Sequence, residues 1–180
     1  MMKVGILGGG QLGRMLLQEA PNYPVETWVM ENDDLCPAAH LCHHFVKGDI
    51  NDLNDVYRFG QHLDALTIEI EHVNVEALEK LEAEGIKIFP GTHALKTIKN
   101  KIQQKEFYSS WQIPTPEYKV IRSMEELRRS VDYLPGVQKL GTGGYDGRGV
   151  QIIRKEDDLQ YGFDAPGILE KMVDIEREIA

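Results

Sequence analysis

A short apolar run, Lys3 to Leu7, breaks into Gly8-Gly9-Gly10-Gln11-Leu12-Gly13 and then into a helical stretch, Arg14 to Ala20, that Pro21 and Pro24 end. A buried strand turning on glycines into a helix is the first half of a βαβ unit, which needs a parallel strand beside the first. Val25 to Met30 supplies that strand. The rhythm then repeats. Phe45 to Lys47 reads as a strand, and Asn51 or Asp52 caps a helix through Gln61 with Leu53, Val56, Tyr57 and Gly60 on one face. Ala65 to Ile70 is a strand, Asn74 caps a helix from Val75 to Glu84 with Leu78 and Leu81 inward, Gly85 stops it, and Ile86 to Phe89 is a fifth strand. Five strands alternating with helices predict an α/β, Rossmann-like, doubly wound parallel sheet with ligands at the carboxyl ends of its strands.

The glycines at 8, 10 and 13 match G-x-G-x-x-G, and Glu31 follows a little under 20 residues later, as in dinucleotide-binding folds. An NAD-dependent oxidoreductase is therefore one reading of this half. Glu69 and Glu71, two apart at the end of the fourth strand, point to one face and could receive a sugar's hydroxyls. They could equally be solvated charges at a strand end.

After Pro90-Gly91 the pattern changes, and the domain boundary falls within Thr92 to Pro116; we place it at 98/99. Thr92 caps a first turn, and Asn100 with Gln103 caps a helix carrying Lys101, Lys105, Phe107, Tyr108 and Trp111. Ile113-Pro114-Thr115-Pro116 is non-helical and reads as a linker. Lys96, Lys99, Lys101 and Lys105 form a local basic patch, mostly solvated, of which one or two could face a phosphate. Strand Tyr118 to Ile121, a helix opened by Ser123 and Glu126, and strands at Val137 to Leu140, Val150 to Ile153 and Ile168 to Glu170 follow.

Between two of those strands lies Lys139-Leu140-Gly141-Thr142-Gly143-Gly144-Tyr145-Asp146-Gly147-Arg148-Gly149, with five glycines in nine residues. Such a hairpin tip can turn its N–H groups toward an anion, and Lys139 and Arg148 add positive charge at its ends. It is not a P-loop, because the glycine-lysine-serine/threonine ending is absent. Tyr145 and Asp146 on a glycine tip suit a lid that closes over a polyphosphate rather than a plain turn.

The chain has 20 basic and 29 acidic residues, a formal net charge of −9, which argues against a general nucleic-acid or anionic-membrane surface. Local donors must hold any phosphorylated ligand. The apolar run Val4 to Leu7 is too short for a signal peptide or a bilayer span, so a cytoplasmic location is expected. Two cysteines imply no disulfide framework. Cys36, His40, Cys42, His43 and His44 include possible soft ligands, but their spacing is that of neither a zinc ribbon nor a finger. The segment reads as a loop with a short helix, and no metal ligand is assigned.

Read together, Gly8 to Met15, Thr67-Ile-Glu69-Ile-Glu71-His-Val73, the Lys101 to Phe107 helix and Thr142 to Gly149 resemble the N5-carboxyaminoimidazole ribonucleotide synthetase family of ATP-grasp enzymes in purine biosynthesis. The resemblance covers the whole chain. It implies a Rossmann-like pre-ATP-grasp domain that binds no dinucleotide (1–98), then the first, incomplete α+β part of an ATP-grasp domain (99–180). The family's reaction uses ATP to phosphorylate bicarbonate to carboxyphosphate, which delivers carbon dioxide to the amine of aminoimidazole ribonucleotide. Position by position, Lys101 and Lys139 would contact ATP, and Gly144, Tyr145, Asp146, Gly147, Arg148, Gly149 and Val150 would cover its triphosphate. Glu170 would accept from the adenine amine, Lys171, Met172 and Val173 would line that edge, and Glu178 would bind the ribose. Tyr145, Asp146 and Arg148 would serve catalysis, with Tyr145 and Asp146 facing the imidazole ribonucleotide. Gly10, Gln11, Leu12 and Glu71 would bind substrate, the first three at a helix N-terminus suited to its 5′-phosphate.

This chain departs from the family at Leu140-Gly141, where a basic residue is common. The family also continues far beyond Ala180, where its magnesium-binding carboxylates are expected. Val173 to Ala180 ends inside a strand-like alternation, so a truncated polypeptide without catalysis of its own is expected, from a parent that is a homodimer.

Overall fold

The computed structural model describes residues 1–144, 148–177 and 179. The chain divides into two compact units, Met1–Lys96 and Thr97–Ala180.

The first unit is built on five parallel strands: β1 (Met2–Leu7), β2 (Val25–Glu31), β3 (His44–Lys47), β4 (Ala65–Ile68) and β5 (Lys87–Phe89). Their spatial order is β3-β2-β1-β4-β5. The chain leaves β1 toward β2 and β3, then returns to place β4 on its other side. The carboxyl ends of β1 and β4 therefore flank the topological switch point, where such sheets bind ligands. Neighbouring residues of β1 serve opposite faces. Leu7 packs with Leu66, Val56, Leu78 and Leu81 beneath helices α2 (Leu53–Gly60) and α3 (Val75–Ala83), whereas Ile6 packs with Val29, Leu17, Cys36 and Ala38. The caps follow from local chemistry. Asp52 accepts from the N–H groups of Asn54 and Asp55, and Asn74 from that of Ala77. A fourth helix, α4 (Thr92–Lys99), begins at buried Thr92, whose hydroxyl donates to Glu82.

Helix α1 (Gln11–Glu19) starts three residues earlier than its sequence suggests, and Gly13 lies inside it rather than in the turn. A Cβ on Gly13 would come 2.8 Å from the Gly8 carbonyl oxygen, so glycine serves close packing of helix on turn. Strand β4 stops at Ile68, two residues short of expectation. The segment from Cys36 to His43 is a series of turns without the expected short helix.

The second unit carries an antiparallel sheet of β6 (Tyr118–Ile121), β7 (Gly136–Leu140), β8 (Val150–Ile153) and β9 (Gly167–Lys171), in the order β6-β9-β7-β8. Helix α5 (Lys101–Ser110) is capped by Asn100, which accepts from Ile102 and Gln103, and α6 (Met124–Arg128) by Ser123. Ile121, Leu127, Ile153, Leu159 and Leu169 form the core. Buried Gln138 ties the chain before β9 to β7, donating to the Phe163 carbonyl at 2.9 Å and accepting from its N–H at 2.8 Å. The sheet thereby holds Lys139 and Glu170 on adjacent central strands.

Candidate active site

In the first unit the glycine turn is filled by the chain's own carboxylates. Gly8 adopts φ +103°, a conformation glycine takes without penalty, and turns the chain sharply out of β1. The next N–H, that of Gly9, donates to Glu31 Oε2 at 3.1 Å, while Glu31 Oε1 accepts from Asn32 at 2.8 Å. Glu31 is thus folded back onto the turn instead of reaching outward for a ribose. Across the switch point, Glu69 Oε1 accepts from the Leu12 N–H at 3.2 Å. An anion at that place satisfies an orphan donor of α1 and complements its dipole.

Because β4 ends at Ile68, Glu69 and Glu71 do not share a strand face. Glu69 turns onto the neighbouring helix, and Glu71 is exposed. Gly10 is the N-cap of α1 and Gln11 its first residue, so Gln11's N–H has no intrahelical carbonyl to meet. The expected substrate residues Gly10, Gln11 and Leu12 therefore lie together at one helix end, with Glu69 already on one of their donors.

Cys36 is buried against Gly9, where a Cβ would fall 2.3 Å from its sulfur, and burial pushes the Cys42 thiol up. His43 Nδ1 lies 2.8 Å from the Thr27 hydroxyl and 3.1 Å from its N–H. His44 stacks on Trp28 and pairs with Glu26 at 2.8 Å. These side chains have separate structural partners, and among the described residues no group of three His, Cys, Asp or Glu is placed to hold a metal ion.

The second unit holds a cavity of about 630 Å³ lined by Lys101, Lys105, Lys139, Glu170, Lys171, Met172 and Val173, among others. Its centre is Glu170, 5% exposed, on β9. Lys105 reaches one carboxylate oxygen from α5 and Lys139 the other from β7. Burial pushes the Glu170 carboxyl up, but hydrogen bonds and charge from both lysines outweigh it and hold the group below the usual range. Lys101, Lys105, Lys139, Arg154 and Lys171 against Glu170 and Asp174 leave this cavity net positive, which suits an anion. Lys101 opens α5 at the cavity's edge. Its N–H donates to the Gly141 carbonyl at 2.7 Å, and Gly141 in turn donates to Pro166 at 2.8 Å. A side chain at 141 would meet the Pro166 oxygen at 3.0 Å. Gly141 thus anchors, through its backbone, the helix that carries Lys101.

Lys171 pairs with Glu117 at 2.7 Å, which raises its pKa, and Met172 donates through its N–H to the Pro135 carbonyl at 2.9 Å. At the hairpin, Lys139 pairs with half-exposed Val150 in register, and Leu140 donates to the Gly149 carbonyl at 2.9 Å. Gly149 has φ +80°, Gly144 lies beside the Arg148 carbonyl, and Arg148 is exposed. The expected roles of Tyr145, Asp146, Gly147 and Glu178 fall outside the described residues. Lys105, read from sequence as one of four patch lysines, is buried at the centre. Its available signal was position: Lys101, Lys105 and Tyr108 fall on one stripe of α5, the face that packs on β9.

A Rossmann-like unit followed by an antiparallel unit with a lysine-lined cavity has the make-up of the ATP-grasp class. The family model described as ribonucleotide synthetase preATP-grasp domain matches residues 1–99, and one described as ATP-grasp domain matches residues 106–180. The chain belongs to the ribonucleotide synthetase preATP-grasp family.

Among its relatives, a chloroplastic phosphoribosylaminoimidazole carboxylase from Vigna aconitifolia is 35% identical over 164 residues, 91% of this chain and 29% of that protein. The crystal structure of N5-carboxyaminoimidazole ribonucleotide synthetase from Thermotoga maritima superposes with a TM-score of 0.87 at 35% identity, covering 98% of this chain and 47% of that one. The Aspergillus clavatus synthase, solved with ADP and 5-aminoimidazole ribonucleotide, gives 0.84 at 33% identity, covering 97% and 47%. The chain thus spans about half the length of these solved relatives.

Proposed function

We propose that the chain is part of an ATP-grasp carbon–nitrogen ligase that carboxylates aminoimidazole ribonucleotide with bicarbonate in de novo purine synthesis. The observation that carries this reading is the net-positive cavity in which Lys105 and Lys139 pair with Glu170 and Lys101 lines the wall, in the half matched by the ATP-grasp model. Residues 1–98 form the pre-ATP-grasp domain and 99–180 the opening of the ATP-grasp domain. In this reading Lys101 and Lys139 contact the phosphates of ATP. Glu170 and the backbone of Lys171 to Val173 take the adenine edge, Glu178 takes the ribose, and Gly144 to Val150 cover the triphosphate. Tyr145, Asp146 and Arg148 act at the reacting end. The 5′-phosphate of the ribonucleotide goes to Gly10, Gln11 and Leu12, with Glu69 yielding the Leu12 N–H, and Glu71 lies nearby in sequence on the substrate side.

The γ-phosphoryl group passes to a bicarbonate oxygen, giving ADP and carboxyphosphate. Cleavage of the carbon–oxygen bond then releases phosphate, and the carbon dioxide unit is taken by the exocyclic amine, which loses one proton. Cations that neutralise the moving phosphoryl group and a lid that excludes water are what this chemistry requires. Magnesium, held by carboxylates elsewhere in the whole protein, would accompany the ATP phosphates. We place the whole protein in the cytoplasm as a homodimer and expect no turnover from these 180 residues alone; among the described residues no helix is long and apolar enough to cross a membrane. The dinucleotide reading loses its support where Glu31 turns onto Gly9.

The test is phosphate release from ATP by the natural protein that carries this chain. Release should require both aminoimidazole ribonucleotide and bicarbonate and should fall in Lys139→Ala and Asp146→Ala. Release that is indifferent to the two substrates would overturn the assignment.

A further inference from the structure

Two lysines share Glu170, and their surroundings differ. Lys105 is the more confined. Its side chain is 8% exposed, its ammonium bonds one Glu170 oxygen and the Thr115 hydroxyl, and the Tyr118 ring centre lies 5.7 Å away. Lys139 holds the other oxygen with a side chain 35% exposed, on the strand that leads into the glycine loop. Glu170 is itself fixed, since β9 pairs with β6 on one side and β7 on the other. A buried carboxylate stripped of its last counterion is strongly disfavoured, so Lys139 can leave only if another cation stays behind.

We propose that Lys105 is the positioning residue of this cavity, a permanent counterion that keeps Glu170 charged and oriented so that Lys139 is free to move from Glu170 to a nucleotide phosphate. The proposal rests on the nucleotide reading above and deepens it. Glu170 holds Lys139 in reserve. When a phosphorylated nucleotide enters, Lys139 takes the phosphate, and Lys105 with Glu170 remains a neutral, hydrogen-bonded pair beside the base. Without Lys105, Lys139 becomes the sole partner of Glu170 and is retained there. The loss should then fall on the phosphates and spare the nucleoside.

The experiment compares ADP and adenosine binding by calorimetry on the natural protein that carries this chain. Lys105→Met should weaken ADP by about tenfold or more while adenosine stays within about threefold of wild type. Lys105→Arg should restore the ADP preference. In a Glu170→Gln background, where no carboxylate retains Lys139, Lys105→Met should change the ADP-to-adenosine ratio by less than about threefold. That background also leaves no orphaned buried charge if Lys105→Met alone fails to fold. Equal losses for ADP and adenosine would reduce Lys105 to a scaffold residue and overturn the proposal, as would the same shift in ratio with and without Glu170. If the wild-type protein binds neither ligand, the nucleotide reading itself falls, a failure distinct from the other two.

Discussion

The glycine turn and the helix it opens offer a sharp test, because Gly10 and Gly13 are needed for different reasons. A Cβ on Gly10 would sit 2.7 Å from Glu69 Oε1, and one on Gly13 would sit 2.8 Å from the Gly8 carbonyl oxygen. The first obstacle is the end of a flexible side chain, and the second is backbone. Gly10→Ala should therefore be accommodated by displacing Glu69, at the loss of its bond to Leu12 and of a good N-cap residue. Capping and helix-dipole terms put that cost at about 1–2 kcal/mol. In a Glu69→Ala background the obstacle and the bond are both gone and only the poorer N-cap remains, so the same change should cost about 0.3–1 kcal/mol less than in wild type. Gly13→Ala should keep most of its cost in both backgrounds, since its 2.8 Å conflict is with backbone and Glu69 Cγ lies only in ordinary contact at 3.6 Å. The assay is urea unfolding followed by tryptophan fluorescence. Of the two tryptophans, Trp28 lies in the first unit, and Trp111, 70% exposed, can be replaced by phenylalanine so that the signal reports that unit. An equal cost for Gly10→Ala with and without Glu69 would refute the argument.

Two further predictions concern the second unit. A Cβ on Gly167 would meet the Lys139 carbonyl oxygen at 2.2 Å, so Gly167→Ala must push β9 from β7. An overpacking cost of roughly 1–3 kcal/mol should lower the melting temperature of this unit by about 5–20 °C, and an unchanged melting curve would contradict the packing described. Glu170, held below the usual carboxyl range against the upward push of burial, contributes stability that is present above the ordinary glutamate pKa and lost as pH falls through its lowered value. Stability measured against pH should thus decline less steeply on the acid side in Glu170→Gln than in wild type, whereas parallel acid limbs would show that the carboxylate is not paired in solution.

What could be read from sequence was local. Asp52, Asn74, Asn100 and Ser123 cap helices because each needs only its own side chain and N–H groups two or three residues ahead. The alternation of strands and helices likewise carried the parallel sheet, and the hairpin of β7 and β8 followed from two apolar runs around glycines. The missed features depend on partners far along the chain. Glu31 reads as the acidic residue of a dinucleotide site and Glu69 as either a sugar ligand or a solvated strand-end charge; only tertiary structure brings them onto the N–H groups of Gly9 and Leu12. Gly13 reads as part of the turn, although it is a helical residue packed on Gly8. Lys105 reads as solvated because exposed helical lysines are common, and its burial is decided by Glu170, on a strand formed much later in the chain.

ATP-driven carboxylation through bicarbonate leaves a trace in the oxygen atoms of the released phosphate. The natural protein that carries this chain is supplied with ATP, aminoimidazole ribonucleotide and bicarbonate labelled with heavy oxygen, and the released phosphate is analysed by mass. Transfer of the γ-phosphoryl group to a bicarbonate oxygen, followed by carbon–oxygen cleavage, leaves one bicarbonate oxygen in each phosphate. Phosphate carrying one label, formed only when the ribonucleotide is present, is expected of the carboxyphosphate route. Unlabelled phosphate, its new oxygen taken from water, or phosphate released without the ribonucleotide, would contradict it.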